Sequence, residues 1–174
     1  MVIKINLETD IDKLLEARSG DMLELSGTIL SARDAAHSRI RELVERGGGI
    51  PFSVKNKLIY YMGPTPARER YPIGSCGPTS SYRMDEFLET VCKLGSIGSI
   101  GKGERSGYVA DIVQKYRSPY LVTFGGASAY LAKRVKNSKI LAFPDLGAEA
   151  VYELEADNFP VIVAMDIYGN SVFS

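Results

Sequence analysis

The sequence predicts one mixed α/β domain covering residues 1–174. Three observations carry the prediction. Strand and helix patterns alternate through the middle of the chain, strand patterns dominate both ends, and no linker or shift in composition divides the whole. This distribution argues for a mixed sheet and against a regular doubly wound one.

The elements follow in order. "MVIKINL" alternates apolar and polar residues and reads as a strand. "DIDKLLEA" reads as a short helix that ends near Gly20. A second alternating run predicts a strand that includes Met22 to Leu30. In "RDAAHSRIRELVERGGG", Asp34 is placed to cap a helix from about Ala35, with Ile40, Leu43 and Val44 on one face and Gly47 as its stop. "KLIYYMG" reads as a strand running into Gly63-Pro64. A helix starting near Thr79 is expected from the spacing of Met84, Phe87, Leu88, Val91 and Leu94, and it ends at Gly95. "GSIGSIGKGERSG" reads as a glycine-rich turn, "YVADIVQKY" as a helix, and "PYLVTFGG" as a strand with a glycine break. "ASAYLAKRVK" then predicts a helix and "KILAF" a strand. The tail "AVYELEADNFPVIVAMDIYGNSVFS" predicts two or three strands, with Tyr168-Gly169-Asn170 as a turn.

Composition narrows the function. Twenty-one basic and 21 acidic side chains give zero formal charge. That disfavours a broad nucleic-acid footprint but leaves room for a small cationic cluster. No run of about 18 apolar residues is present, so no membrane span is expected. The start lacks the apolar core of a signal peptide, which makes a cytoplasmic chain the default expectation. Cys76 and Cys92 lie far from metal-ligand spacing, and His37 is the single histidine. A self-contained zinc or iron–sulfur site is therefore not expected, and no metal ligand is assigned.

Three junctions carry candidate chemistry. In "GSCGPTSSYRM", the hydroxyls of Thr79, Ser80 and Ser81 precede Arg83 at the expected helix start. Unpaired N–H groups, hydroxyls and a guanidinium together suit an anion, although the segment also reads as a capped helix with a surface arginine. In "SIGKGERSG", glycines surround Lys102. That turn suits an anion nest with a point charge, or simply a solvated lysine; the P-loop order is absent. In "SARDAAH", Arg33 falls at a strand-to-helix junction and His37 lies three residues after Asp34. His37 reads either as a general acid or base or as a polar surface residue. Cys76, near a helix start but without an evident triad, reads as a buried small residue before a nucleophile. If the three junctions converge, Arg33, Arg83 and Lys102 would suit a small ligand with two negative ends.

Taken together, "GDMLELSGTILSARDAAH", "YYMGP", "GPTSSYRM", "GKG", "GGASAYLA" and "FPVIVAMDIYGNSVF" resemble the class I fumarase and tartrate dehydratase family, specifically its β subunit or C-terminal domain. The resemblance runs over nearly the whole chain. It implies a swivelling β/β/α fold and an α subunit, or N-terminal domain, as partner. It implies that a [4Fe–4S] cluster sits in that partner, where an open iron position acts as Lewis acid on the substrate. Carried over by position, Arg33, Arg83 and Lys102 match substrate-carboxylate contacts. Thr79 matches a hydroxyl that works with an aspartate of the other subunit in moving the C3 proton. His37 matches the histidine of an R-D-x-x-H segment with an active-site role. Ser80 stands where threonine is common and keeps the hydroxyl. The expected activity is reversible hydration of a C4 dicarboxylate, fumarate/L-malate first and tartrate next, by a hetero-oligomer. The alternative is a non-catalytic anion-binding or regulatory domain on the same fold.

Overall fold

The computed structural model describes residues 1–67, 72–124 and 126–173. Within these residues seven strands form one sheet: β1 (Val2–Asn6), β2 (Met22–Ser31), β3 (Leu58–Tyr60), β4 (Gly98–Gly101), β5 (Tyr120–Val122), β6 (Val135–Ala142) and β7 (Val151–Met165). Among the described residues five helices accompany them: α1 (Ile11–Glu16), α2 (Asp34–Glu45), α3 (Asp85–Lys93), α4 (Val109–Tyr116) and α5 (Ser128–Ala132). Two 3-10 turns, Ser81–Met84 and Pro144–Glu149, complete the order.

The strands β2, β3, β4 and β5 pair in parallel, each with the next. β7 runs antiparallel to both β5 and β2, so the pairing closes into a ring of β2, β3, β4, β5 and β7. β1 and β6 extend it as flanks on β2 and β7. The fold is thus mixed α/β with a barrel-like sheet, in line with the sequence.

Alternation along the strands divides the core in two. Leu58 and Tyr60 belong to one cluster with Leu25, Ile100, Leu121 and Val161. Ile59 and Tyr61 belong to the other, with Ile40, Phe87, Val91 and Val113 from α2, α3 and α4. Three helices cannot lie within a five-stranded ring, so theirs is the outer face and the first cluster fills the interior.

Several expectations are corrected. The glycine-rich stretch after Gly95 is not all turn: Gly98–Gly101 is a fully buried strand. A Cβ on Gly98 would stand 2.6 Å from Leu58 Cδ2 and 3.0 Å from the Pro119 carbonyl, so the glycine there serves close packing. The helix expected from Thr79 begins at Asp85, after the 3-10 turn. Asp34 is the first residue of α2 rather than its cap; Arg33 occupies that position, and Val44 is exposed. The strand predicted over "KLIYYMG" is only Leu58–Tyr60. α5 stops at Ala132, and Val135 already pairs with Ala156 of β7.

The tail is one 15-residue strand rather than two or three. Asn158, at φ 53°, bends that strand without ending it, because β2 pairs with β7 on both sides of the bend. The expected turn at Gly169 is present, with φ 88°. Gly125 of the predicted glycine break lies outside the described residues.

Candidate functional site

The parallel strands β2, β3, β4 and β5 put their carboxyl ends on one edge of the ring. Ligands of parallel sheets gather beyond such ends. Arg33 follows β2, Lys102 follows β4, and Thr79 is held just beyond β3 by a bond from its N–H to the Tyr61 carbonyl, 2.7 Å. The topology therefore brings the three sequence-predicted junctions to one edge.

Arg33 and Arg83 meet through Asp34. Arg83 Nη2 forms an ion pair with Asp34 Oδ2 at 2.9 Å, while Arg33 Nε stands 3.9 Å from Asp34 Oδ1. That separation is too long for a hydrogen bond, and both atoms are buried without a partner. Arg83 is 43% exposed. The α2 start itself is capped from across the fold, since Ala35 N–H donates to Glu149 Oε1 at 3.3 Å.

The hydroxyl segment pairs with the lysine loop. Ser80 and Lys102 form a parallel β-bridge, and Ser81 N–H donates to the Lys102 carbonyl at 3.0 Å. Thr79 and Ser80 are half-buried, and Ser80 makes no side-chain cap bond. Ser81 is withdrawn from the expected ligand-facing set. It is 0% exposed, and its Oγ accepts the Lys102 N–H at 3.1 Å and lies 2.8 Å from the Tyr120 hydroxyl. A Cβ on Gly101 would overlap Ser81 Oγ, which is why that strand end is glycine.

The α3 start also departs from the expected anion site. Its first turn already carries Asp85 and Glu86. Asp85 is buried and accepts from Arg105 Nε at 2.6 Å and from Ser106 N–H at 2.8 Å. Arg105 also donates from Nη1 to Ser99 Oγ (3.0 Å) and from Nη2 to the Tyr61 hydroxyl (3.1 Å). Its guanidinium lies 4.9 Å from the Tyr120 ring centre. Sequence reasoning missed this group. Arg105 reads as one more charge in a glycine-rich loop, and nothing in its spacing points to Asp85.

His37 is not a surface residue: it is 1% exposed. Its Nδ1–H donates to the Arg33 carbonyl at 2.8 Å, and its ring packs against Tyr61 and Phe87. Nε2 is buried without a partner. Burial holds its pKa down to about 4, from an ordinary 6.5. The native state then binds fewer protons than the unfolded chain between those values, so stability rises with pH across that window. Acidification from pH 7 to pH 4 is expected to cost about 3 kcal/mol through this group. Urea midpoints at pH 7 and pH 5 check it: the wild type should weaken more than a His37→Gln variant. Equal losses would remove His37 as the source.

The cysteines offer no reactive thiol. Burial pushes Cys76 up to about 12, and Cys92 is raised as well. Among the described residues, no group of three or more His, Cys, Asp or Glu side chains is placed to hold a metal ion. No helix among them is long and apolar enough to cross a membrane. Arg83 and Lys102 are exposed on the cationic edge. A cleft of about 430 Å³ lies beside Pro64, Ile73, Ile140 and Tyr152. Another, of about 450 Å³, has an acidic lining that includes Glu86, Glu89 and Asp111.

A family model described as "Fumarase C-terminus" matches residues 1–174. The chain is 39% identical to "Fumarate hydratase 2" of Leishmania major over 178 residues, covering 99% of this chain and 31% of that protein. It is also 39% identical over 170 residues to a Methanocaldococcus jannaschii protein provisionally named L(+)-tartrate dehydratase subunit beta, covering 94% of this chain and 86% of that one. To the L(+)-tartrate dehydratase subunit beta of Escherichia coli it is 28% identical, covering 94% and 82%. The chain thus spans about a third of the fumarate hydratase and most of each β subunit.

Proposed function

The chain belongs to the Fumarase C-terminus family, and on that premise we propose that residues 1–174 act as one domain, the β subunit of a hydro-lyase that reversibly hydrates a C4 dicarboxylate. Fumarate/L-malate is the first candidate pair and tartrate the second. The observation that carries the reading is the juxtaposition of Arg33 and Arg83 around one carboxylate, with Arg33 Nε left unpartnered, on the edge where Lys102 also emerges.

Arg33, Arg83 and Lys102 bind the substrate carboxylates, and the Ser80 hydroxyl adds a hydrogen bond. Removing the C3 proton builds negative charge on the neighbouring carboxylate. Fixed cations oppose that charge without reorganising at the moment of reaction. Thr79 is the proton-handling residue of this chain, working with an aspartate of the partner. His37 is assigned a supporting role: its bond to the Arg33 carbonyl fixes the backbone from which that arginine projects. The burial of His37 and the half-exposure of Thr79 support this division.

The iron–sulfur cluster implied by the family resemblance does not fit this chain. Two buried thiols and one buried imidazole provide no ligand set among the described residues. The cluster is assigned to an α subunit. The exposure of Arg83 and Lys102 supports such a partner, because the site needs a second wall to exclude water. A cytoplasmic heteromer fits the reading.

The pure chain alone is expected to fold yet hydrate no fumarate. Anaerobic reconstitution with the α subunit should yield turnover in a fumarate, malate and tartrate panel. Metal-independent malate dehydration by the isolated chain would overturn the division of labour. A fully assembled, cluster-loaded complex that binds these acids without turning any over would favour the non-catalytic alternative.

A further inference from the structure

The peptide groups around Lys102 are held by an unusual relay. Lys102 N–H donates to Ser81 Oγ at 3.1 Å. Ser81 Oγ lies 2.8 Å from the Tyr120 hydroxyl, which in turn lies 2.7 Å from the Gly103 carbonyl. The Tyr120 hydroxyl is the donor toward both acceptors, Ser81 Oγ and the Gly103 carbonyl, and its one hydrogen lies between them. Ser81 Oγ in turn accepts the Lys102 N–H. One phenol therefore ties the peptide groups before and after Lys102 to the same buried ring.

We propose that Tyr120 is a positioning residue, fixing the backbone on both sides of Lys102 and so aiming its ammonium at the bound carboxylate; this rests on the reading of Lys102 as a ligand contact. The geometry singles out this loop. Gly103 has φ +82°, and a Cβ built on it would meet nothing within 4 Å, so that side of the loop is open. Lys102, Gly103 and Glu104 are all exposed. Tyr120 and Ser81, by contrast, are each 0% exposed and belong to the ring and to the segment that carries Arg83. The relay therefore adds to the β-bridge with Ser80 in tying the exposed lysine to the core. Burial also pushes the Tyr120 phenol up to about 12, which keeps its proton in place as the terminal donor.

Tyr120→Phe deletes the hydroxyl and keeps the ring that lies against Arg105. Two measurements test it. In the isolated chain, amide hydrogen exchange at Lys102 should accelerate by at least about tenfold, following loss of one buried relay; exchange in β7 should change far less. In the reconstituted enzyme, Lys102→Met should lower kcat/KM by about 10- to 100-fold, the range for a hydrogen bond to a charged group. Tyr120→Phe should lower it by about tenfold alone, and by less than about twofold in the Lys102→Met background, because its target is already gone. Combined with Arg33→Met, on another element, its effect should multiply in full. Ser81→Ala breaks the same relay at its middle and should show the same dependence on Lys102, which covers a Tyr120→Phe protein that fails to fold.

Additive losses with Lys102→Met, or unchanged exchange at the Lys102 amide, would overturn the positioning role while leaving Lys102 as a ligand contact. A Lys102→Met enzyme with normal kcat/KM would overturn both, beginning with the contact itself.

Discussion

Thr79→Ala in the reconstituted enzyme is expected to lower kcat by roughly 10²–10⁴, the range for losing a general acid–base group, with little change in KM. The reason is local. The Thr79 main chain is anchored by its N–H on the Tyr61 carbonyl, a bond that alanine keeps. The neighbouring β-bridge between Ser80 and Lys102 also involves main chain alone. The substitution thus removes one hydroxyl and leaves Arg33, Arg83 and Lys102 where they are. Stopped assays at saturating substrate, with cluster content and subunit ratio measured on the same sample, make the comparison. A near-normal kcat with assembly intact would pass proton transfer entirely to the partner and leave this chain a positioning role.

Arg105→Met should be the most destabilising single change on the outer face, by about 3–5 kcal/mol, the cost of removing one member of a buried ion pair. Asp85 would keep the Ser106 N–H but lose its counter-charge, while Ser99 and Tyr61 would lose a donor. The test is urea unfolding of the isolated chain at pH 7. Adding Asp85→Asn to Arg105→Met should recover part of the loss, since the uncompensated carboxylate is the main expense. A double variant no more stable than Arg105→Met would show that the arginine matters through its aromatic packing on Tyr61 and Tyr120 instead.

Much of this was legible in the residues, for identifiable reasons. The apolar alternation of β1 and β2 and the helical spacing of Phe87, Leu88 and Val91 reflect local periodicity, and local periodicity survives folding. Glycine-rich β4 was not legible, because its glycines report contacts with Leu58, Tyr61 and Ser81 that lie far away in sequence. The unbroken β7 was hidden for a similar reason: "DNFP" carries turn chemistry, and only pairing with β2 overrides it. At the site, Arg33, Arg83 and Lys102 stood out because each sits at an element junction. The burial of Ser81 and His37 was not legible, since burial of a hydroxyl or an imidazole has no signature in a single sequence. Arg105 was invisible for the converse reason, as a buried guanidinium reads as an ordinary charged residue.

The closure of the ring has a further consequence, for the order in which the chain acquires its structure. β7 supplies the strand that joins β5 back to β2, so the ring cannot close until residues 151–165 have left the ribosome. Until then β2 and β5 each present an unpaired edge, and pairings as distant in sequence as Met22 with Ile162 must wait. Such non-local pairings place domains toward the slow end of two-state folding, milliseconds to seconds. A nascent chain of this kind spends its synthesis with sheet edges open to other chains. Shortening the protein before Val151 is therefore the change that turns a slow folder into one that aggregates.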